Sequence, residues 1–203
     1  MPSLTSKTRP QPIRRDDSTA ELGRIVTGYA AKFYDPKDLN TEYALFSDTW
    51  ERIMPGAFDR ALAEKDDVRA LFNHNPDLLL GRVSAGTCRL WTDDVGLGYE
   101  VRLPEKCGYA DDLIACLKRG DVTGSSFGFL IEDEAWRESK DVKGNTIFIR
   151  EILSVRLYDV SPVTFAAYQA TTAGLRSQPT PQARTSWEIE QENMRMRLRL
   201  LEH

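Results

Sequence analysis

A serine hydroxyl is a weak nucleophile until a base removes its proton. The stretch Gly124-Ser125-Ser126-Phe127-Gly128 sets one such hydroxyl between two glycines, in a chain whose one histidine before the C-terminal residue is His74, in Leu71-Phe72-Asn73-His74-Asn75. Glycines two positions before and after Ser126 let the backbone bend sharply and let a substrate approach closely. A serine–imidazole pair also needs an acid to orient the ring, and Asp159 is the candidate. It shares strand parity with Val155 and Leu157, so a core-facing strand there draws its carboxylate toward a less solvated place, where it needs a partner such as an imidazole N–H. Together these residue types describe acyl transfer by a Ser–His–acid set. Blander readings stand beside that one. Serines next to glycines are common in turns, a histidine near a strand end often only hydrogen-bonds a neighbour, and Asp159 has Arg150, Arg156 or a cap at Ser161-Pro162 as alternative partners.

Gly124-x-Ser126-x-Gly128 fits the G-x-S-x-G elbow of α/β-hydrolases, but that fold needs a helix after the serine and partners in the order Ser, acid, His. Here the residues after Gly128 alternate like a strand, and the only histidine downstream is His203 at the end of the chain. The order His74, Ser126, Asp159 remains, which a β-rich scaffold permits because such sets are defined by geometry and roles.

The elements that must position these residues follow from periodicity. Ile25 to Phe33 reads as a strand weakened or bulged at Gly28, followed by a polar loop. Asp59 to Lys65 reads as a short helix, and Val68 to Phe72 as a strand ending at His74. Gly81 to Trp91 and Gly96 to Leu103 alternate on either side of Asp93-Asp94, the pattern of a hairpin. Tyr109 to Arg119 has apolar residues at 109, 113, 114 and 117, a helix with one buried face and Gly120 as its cap. Ser126 to Ile131 and Ile147 to Val163 read as strands. Residues 1–22 are expected to form a flexible arm, 23–172 the folded domain, and 173–186, rich in Gly, Ser, Gln, Thr and Pro, a linker. Beyond it, Trp187, Met194, Leu198 and Leu201 form the apolar stripe of an amphipathic helix over 187–203.

Composition excludes several functions. A 203-residue chain with 29% charged residues and a net charge of −4 has no field suited to nucleic acid, and no apolar run approaches the roughly 20 residues of a membrane span. Neither a nucleic-acid nor a membrane partner is expected, and the N-terminus lacks the apolar core of a signal peptide. Cys88, Cys107 and Cys116 are odd in number and have no C-x-x-C spacing or neighbouring histidine, so neither a disulfide framework nor a metal site is expected, and no cofactor.

Four blocks in one order carry a further signal. His74 precedes Leu80-Gly81-Arg82-Val83, then come Gly96-Leu97-Gly98-Tyr99, Ser126-Phe127-Gly128-Phe129 and Asp159-Val160-Ser161-Pro162-Val163-Thr164-Phe165. Over residues 24 to 172 this resembles the prohead maturation proteases of tailed phages, a family related in fold to the herpesvirus assemblin proteases. The resemblance implies an α+β, mainly β fold: a small closed antiparallel β-barrel with peripheral helices. It implies a serine endopeptidase that cleaves scaffold and major capsid protein segments, and itself, inside the assembling prohead in the host cytoplasm. The family's histidine falls on His74, its serine on Ser126 and not Ser125, and its acid on Asp159, an aspartate where glutamate is common. Where family members often have a proline after the Thr-Phe step, this chain has Ala166-Ala167-Tyr168. Self-association, as in the herpesvirus relatives, is left open by the sequence. The rival from another class is a catalytically inactive β-barrel scaffold or capsid-assembly protein, although such a role needs neither His74 nor Ser126.

Overall fold

The computed structural model describes residues 23–176; the arm at 1–22, most of the expected linker and the expected tail helix lie outside them. Within this range the chain is mainly β. Ten strands run in order with two short helices: β1 (Ile25–Lys32), β2 (Glu42–Phe46), β3 (Thr49–Ile53), α1 (Asp59–Ala63), β4 (Arg69–Phe72), β5 (Asn75–Arg82), β6 (Cys88–Thr92), β7 (Gly96–Arg102), α2 (Gly108–Arg119), β8 (Gly124–Lys140), β9 (Thr146–Val163) and β10 (Thr172–Leu175). The alternating runs fold as expected at β1, at the hairpin turn before β7 and along β9, but the strand expected over Gly81 to Trp91 is broken: Gly81 and Arg82 end β5 and residues 83–87 turn before β6 begins. The helix expected at 109–119 is α2, burying Ala110, Leu113 and Leu117 and closed by Gly120. The polar stretch after β1, read as loop, holds β2 and β3. Glu51 and Arg150 in this sheet are half or fully buried yet face each other across strands, so charge there is paired within the fold and gives no alternating signal.

The strands form two sheets. One has the order β10-β1-β7-β6; the other runs β2-β3-β9-β4-β5, with β8 paired to β9. Among the described residues no pairing closes these sheets into a barrel. Nor is the strand pairing all antiparallel, as the resemblance implied: β3 and β4 both run parallel to β9. The correction has a simple cause. β9 is 18 residues long, and its two halves take different partners on one edge, Thr49–Ile53 against Phe148–Ile152 and Arg69-Ala70 against Asp159-Val160, while β8 pairs along the other edge. Parallel neighbours need long crossovers, so no local turn signal marks them. β10 places Thr172–Leu175 against β1, so the sheet runs into the first residues of the stretch 173–186.

Both sheets bury their apolar faces in one core that includes Val26, Tyr99 and Val101 from the first sheet and Ile53, Val155 and Val160 from the second. Phe127 belongs to it, edge-on to Phe58 at 5.5 Å and stacked on Phe129 at 4.5 Å. These aromatic contacts anchor the inner face of β8 directly behind Ser126.

Candidate active site

His74 stands at the tip of the β4–β5 hairpin. Phe72 pairs with Asn75, leaving Asn73 and His74 as a two-residue loop with φ of 55° and 56°. Two consecutive left-handed residues define a type I′ turn, whose twist matches that of the flanking strands, and asparagine and histidine tolerate the conformation better than most side chains. The turn is also tied down from outside. The Asn73 backbone N–H donates to the Pro162 carbonyl (3.1 Å), continuing the parallel pairing of β4 with β9. The Asn73 side chain accepts from the Thr164 N–H (2.8 Å) and donates to Thr164 Oγ1 (3.3 Å). The imidazole is thereby delivered to the outer face of β9 as a fixed object.

On that face His74 Nδ1 lies 2.7 Å from Asp159 Oδ1. Asp159 also accepts from Ser161 Oγ at 2.6 Å. Against a carboxylate, which only accepts, Nδ1 is the donor of this contact, and in a neutral ring Nε2 then holds the lone pair. The histidine side chain is 37% exposed and the aspartate side chain 13%, so the pair is screened on the carboxylate side and open on the imidazole side. Of the alternative partners of Asp159, neither arginine takes it, since Arg150 bonds Glu134 and Glu51 and Arg156 bonds Glu132, while Ser161 does, alongside His74.

The expected parity of Asp159 is corrected. Val155, Leu157 and Val160 face the core with 0%, 2% and 0% exposure, and the step from 157 to 160 breaks the alternation. The register explains it: Gly128 pairs with Asp159 while the next residue, Phe129, pairs with Leu157, so Tyr158 is an extra residue on β9. This bulge turns Asp159 outward, away from the core that periodicity assigned to it.

Ser126 shares that outward face. It pairs with Ser161, and Gly128 pairs with Asp159 without a register shift between, so Ser126, Gly128, Asp159 and Ser161 project to one side, with Ser126 and Asp159 diagonal neighbours. Such a diagonal spans about 7–8 Å, room for an imidazole and a hydrogen bond of about 2.8 Å on either side. Ser126 is half-buried, and its hydroxyl has no hydrogen-bond partner among the described residues; in this state it makes no hydrogen bond to His74. The structure thus joins His74 to Asp159 and sets Ser126 on the same face without closing the last contact.

Ser125 faces the other way. Fully buried, it shares a 2.8 Å hydrogen bond with the Tyr99 hydroxyl and donates to the Thr172 carbonyl at 2.8 Å; its backbone N–H and C=O are both bonded to Thr171 Oγ1. Burial raises the Tyr99 phenol well above its ordinary range, so it stays protonated. Ser125 therefore fastens β8 to the segment entering β10.

Gly128 holds a surprise for the sequence reading, which gave its missing side chain to an approaching substrate. A β-carbon there would fall 2.1 Å from Asp159 Oδ2 and 3.1 Å from Cγ. The close approach is made by the acid itself. Sequence reasoning missed this seat and the Asn73 clamp; the G-x-S-x-G spacing and the Asn-His dipeptide were the available signals.

No curated protein matches the chain closely enough to count as a relative. A family model described as Caudovirus prohead serine protease does match, over residues 11–183, which takes in the whole of the described fold and every residue of this site. The chain therefore belongs to the prohead serine proteases of tailed phages, the peptidases of capsid maturation.

Proposed function

We propose that Ser126 is the nucleophile of this protease, His74 its general base and Asp159 the carboxylate that orients the imidazole. The observation that carries the assignment is the 2.7 Å contact between His74 Nδ1 and Asp159 Oδ1 on the face that also bears Ser126. With Nδ1 engaged, Nε2 is the nitrogen free to take the Ser126 proton as Oγ attacks the scissile carbonyl. The imidazolium then returns that proton to the departing amine, which leaves with the C-terminal fragment. Water next attacks the acyl-serine ester with His74 again as base, freeing the N-terminal fragment as an acid and restoring Ser126. Throughout, the Asp159 carboxylate orients the ring and stabilises the imidazolium.

Segments of the major capsid protein and of the scaffold are the substrates in this reading, with the chain's own tails as further cleavage sites, inside the assembling prohead. Two sheets that share one core are the feature that favours the small barrel which the resemblance implies.

Co-expression with the major capsid protein tests the assignment. Ser126→Ala and His74→Gln should each leave full-length capsid precursor where the parent yields processed protein. Processing by Ser126→Ala at the parental level would remove that residue from the mechanism.

A further inference from the structure

Three residues act in the reaction as written, and a fourth polar side chain on the same face has no part in it. Ser161 has no exposed surface, and it stands opposite Ser126 in the β8–β9 register. Strand positions favour β-branched and aromatic side chains, and burying a hydroxyl is costly unless it is hydrogen-bonded. Among the described residues the only partner of the Ser161 hydroxyl is Oδ1 of Asp159, the same oxygen that meets His74.

A carboxylate on a strand turns about two torsions, and both of its edges are governed here. On one edge Ser161 supplies a short hydrogen bond of 2.6 Å, of the charge-assisted kind that carries about twice the strength of a neutral one. On the other, Oδ2 lies over Gly128 where a β-carbon would stand. The bulge at Tyr158 sets the direction of the side chain, and among the described residues the Ser161 hydroxyl is the one polar side-chain contact that holds its rotation apart from His74 itself.

We propose that Ser161 is a positioning residue: by donating to Oδ1 of Asp159 it fixes the carboxylate against the His74 ring and so holds that ring as the Nδ1–H tautomer, with Nε2 left for Ser126. This rests on the assignment of Ser126, His74 and Asp159 given above. Ser161 touches neither substrate nor the atoms that react; it acts through Asp159.

The test uses the full chain and a fluorogenic peptide spanning the cleavage site mapped by mass spectrometry in the co-expressed capsid protein. Ser161→Ala should lower kcat by roughly 10- to 100-fold and leave KM within about twofold, since misplacement by about an ångström costs up to about 100-fold and substrate contacts are untouched. Ser161→Thr keeps the hydroxyl and should restore most of kcat. A second readout does not depend on turnover. In a Ser126→Ala background, long-range 1H–15N correlation of the His74 ring should show the Nδ1–H tautomer, and adding Ser161→Ala should shift the population toward Nε2–H. A kcat within twofold of the parent, or a ring spectrum unchanged by Ser161→Ala, would overturn the proposal. Ser126→Ala alone separates the two levels: if it still cleaves, the underlying assignment falls and this inference with it, whereas an inert Ser126→Ala beside a fully active Ser161→Ala removes only the role of Ser161.

Discussion

Gly128 and Asp159 occupy one register position on facing strands, and the carboxylate of the second lies in the space where a side chain on the first would begin. Gly128→Ala is therefore expected to push Asp159 off the His74 ring while leaving the core face of β8 intact. Activity should fall by about 100-fold, the scale of an ångström-sized misplacement, with little change in thermal midpoint. A variant that keeps parental kcat would mean that the carboxylate has another place to rest.

The adjacent serines should separate function from stability. Ser126→Ala removes a half-buried hydroxyl that has no partner among the described residues and should abolish cleavage with an unchanged urea midpoint. Ser125→Ala strips partners from the buried Tyr99 hydroxyl and the Thr172 carbonyl, which should cost about 1–3 kcal/mol while cleavage continues under folding conditions. Urea unfolding of the two single variants next to a peptide-cleavage assay checks both halves.

The Asn73 clamp can be removed without disturbing the turn. Asn73→Gly keeps access to positive φ and loses both side-chain bonds to Thr164; it should slow cleavage several-fold while costing about 1 kcal/mol of stability or less, as exposed hydrogen bonds do. Asn73→Ala should cost about 1–2 kcal/mol more, because alanine is forced into left-handed backbone. Equal cleavage by Asn73→Gly and parent would show that the hairpin holds His74 unaided.

Alkaline pH should destabilise the fold through groups far from the site. Burial, with Glu100 nearby, pushes the Cys88 thiol up to about 12, and burial likewise raises Tyr99. Below about pH 8 folded and unfolded chains both hold these protons, and the groups add no pH dependence; the cysteine begins to contribute above that and the tyrosine only nearer pH 10. From there the unfolded chain releases a proton that the fold retains, so stability declines with rising pH by about 1.4 kcal/mol per unit for each such group, until the folded group titrates as well. Urea midpoints at pH 8, 9.5 and 10.5 should fall accordingly, and Cys88→Val should make the decline shallower. A flat profile over that range would contradict the burial of both groups.

What could be read from the residues alone divides along physical lines. Strand β9, helix α2 and the β6–β7 hairpin were legible because alternation, three-and-four spacing and a turn-forming acidic pair are local signals. His74 and Asp159 were legible as chemistry, and they do meet. The outward turn of Asp159 was not, since Val155, Leu157 and Val160 leave both parities open for residue 159, and the bulge at Tyr158 that decides between them depends on the partner strand. The parallel docking of β3 and β4 on β9 was hidden for a similar reason: it joins segments about a hundred positions apart, and charged residues such as Glu51 and Arg150 are paired inside it. Ser125 and Ser126 have the same side chain on the same strand. Which of them is sequestered follows from strand parity and from the arrival of Thr171 and Thr172, supplied only when the chain returns to the sheet.

Because a single strand, Thr146–Val163, carries the histidine hairpin on one edge and the serine strand on the other, hydrolytic competence is a matter of timing. The imidazole is synthesised 85 positions ahead of its acid and has nothing to orient it until that late strand is threaded between its neighbours. In the assignment proposed above, a nascent or truncated chain ending before it lacks the acid and is expected to be inert.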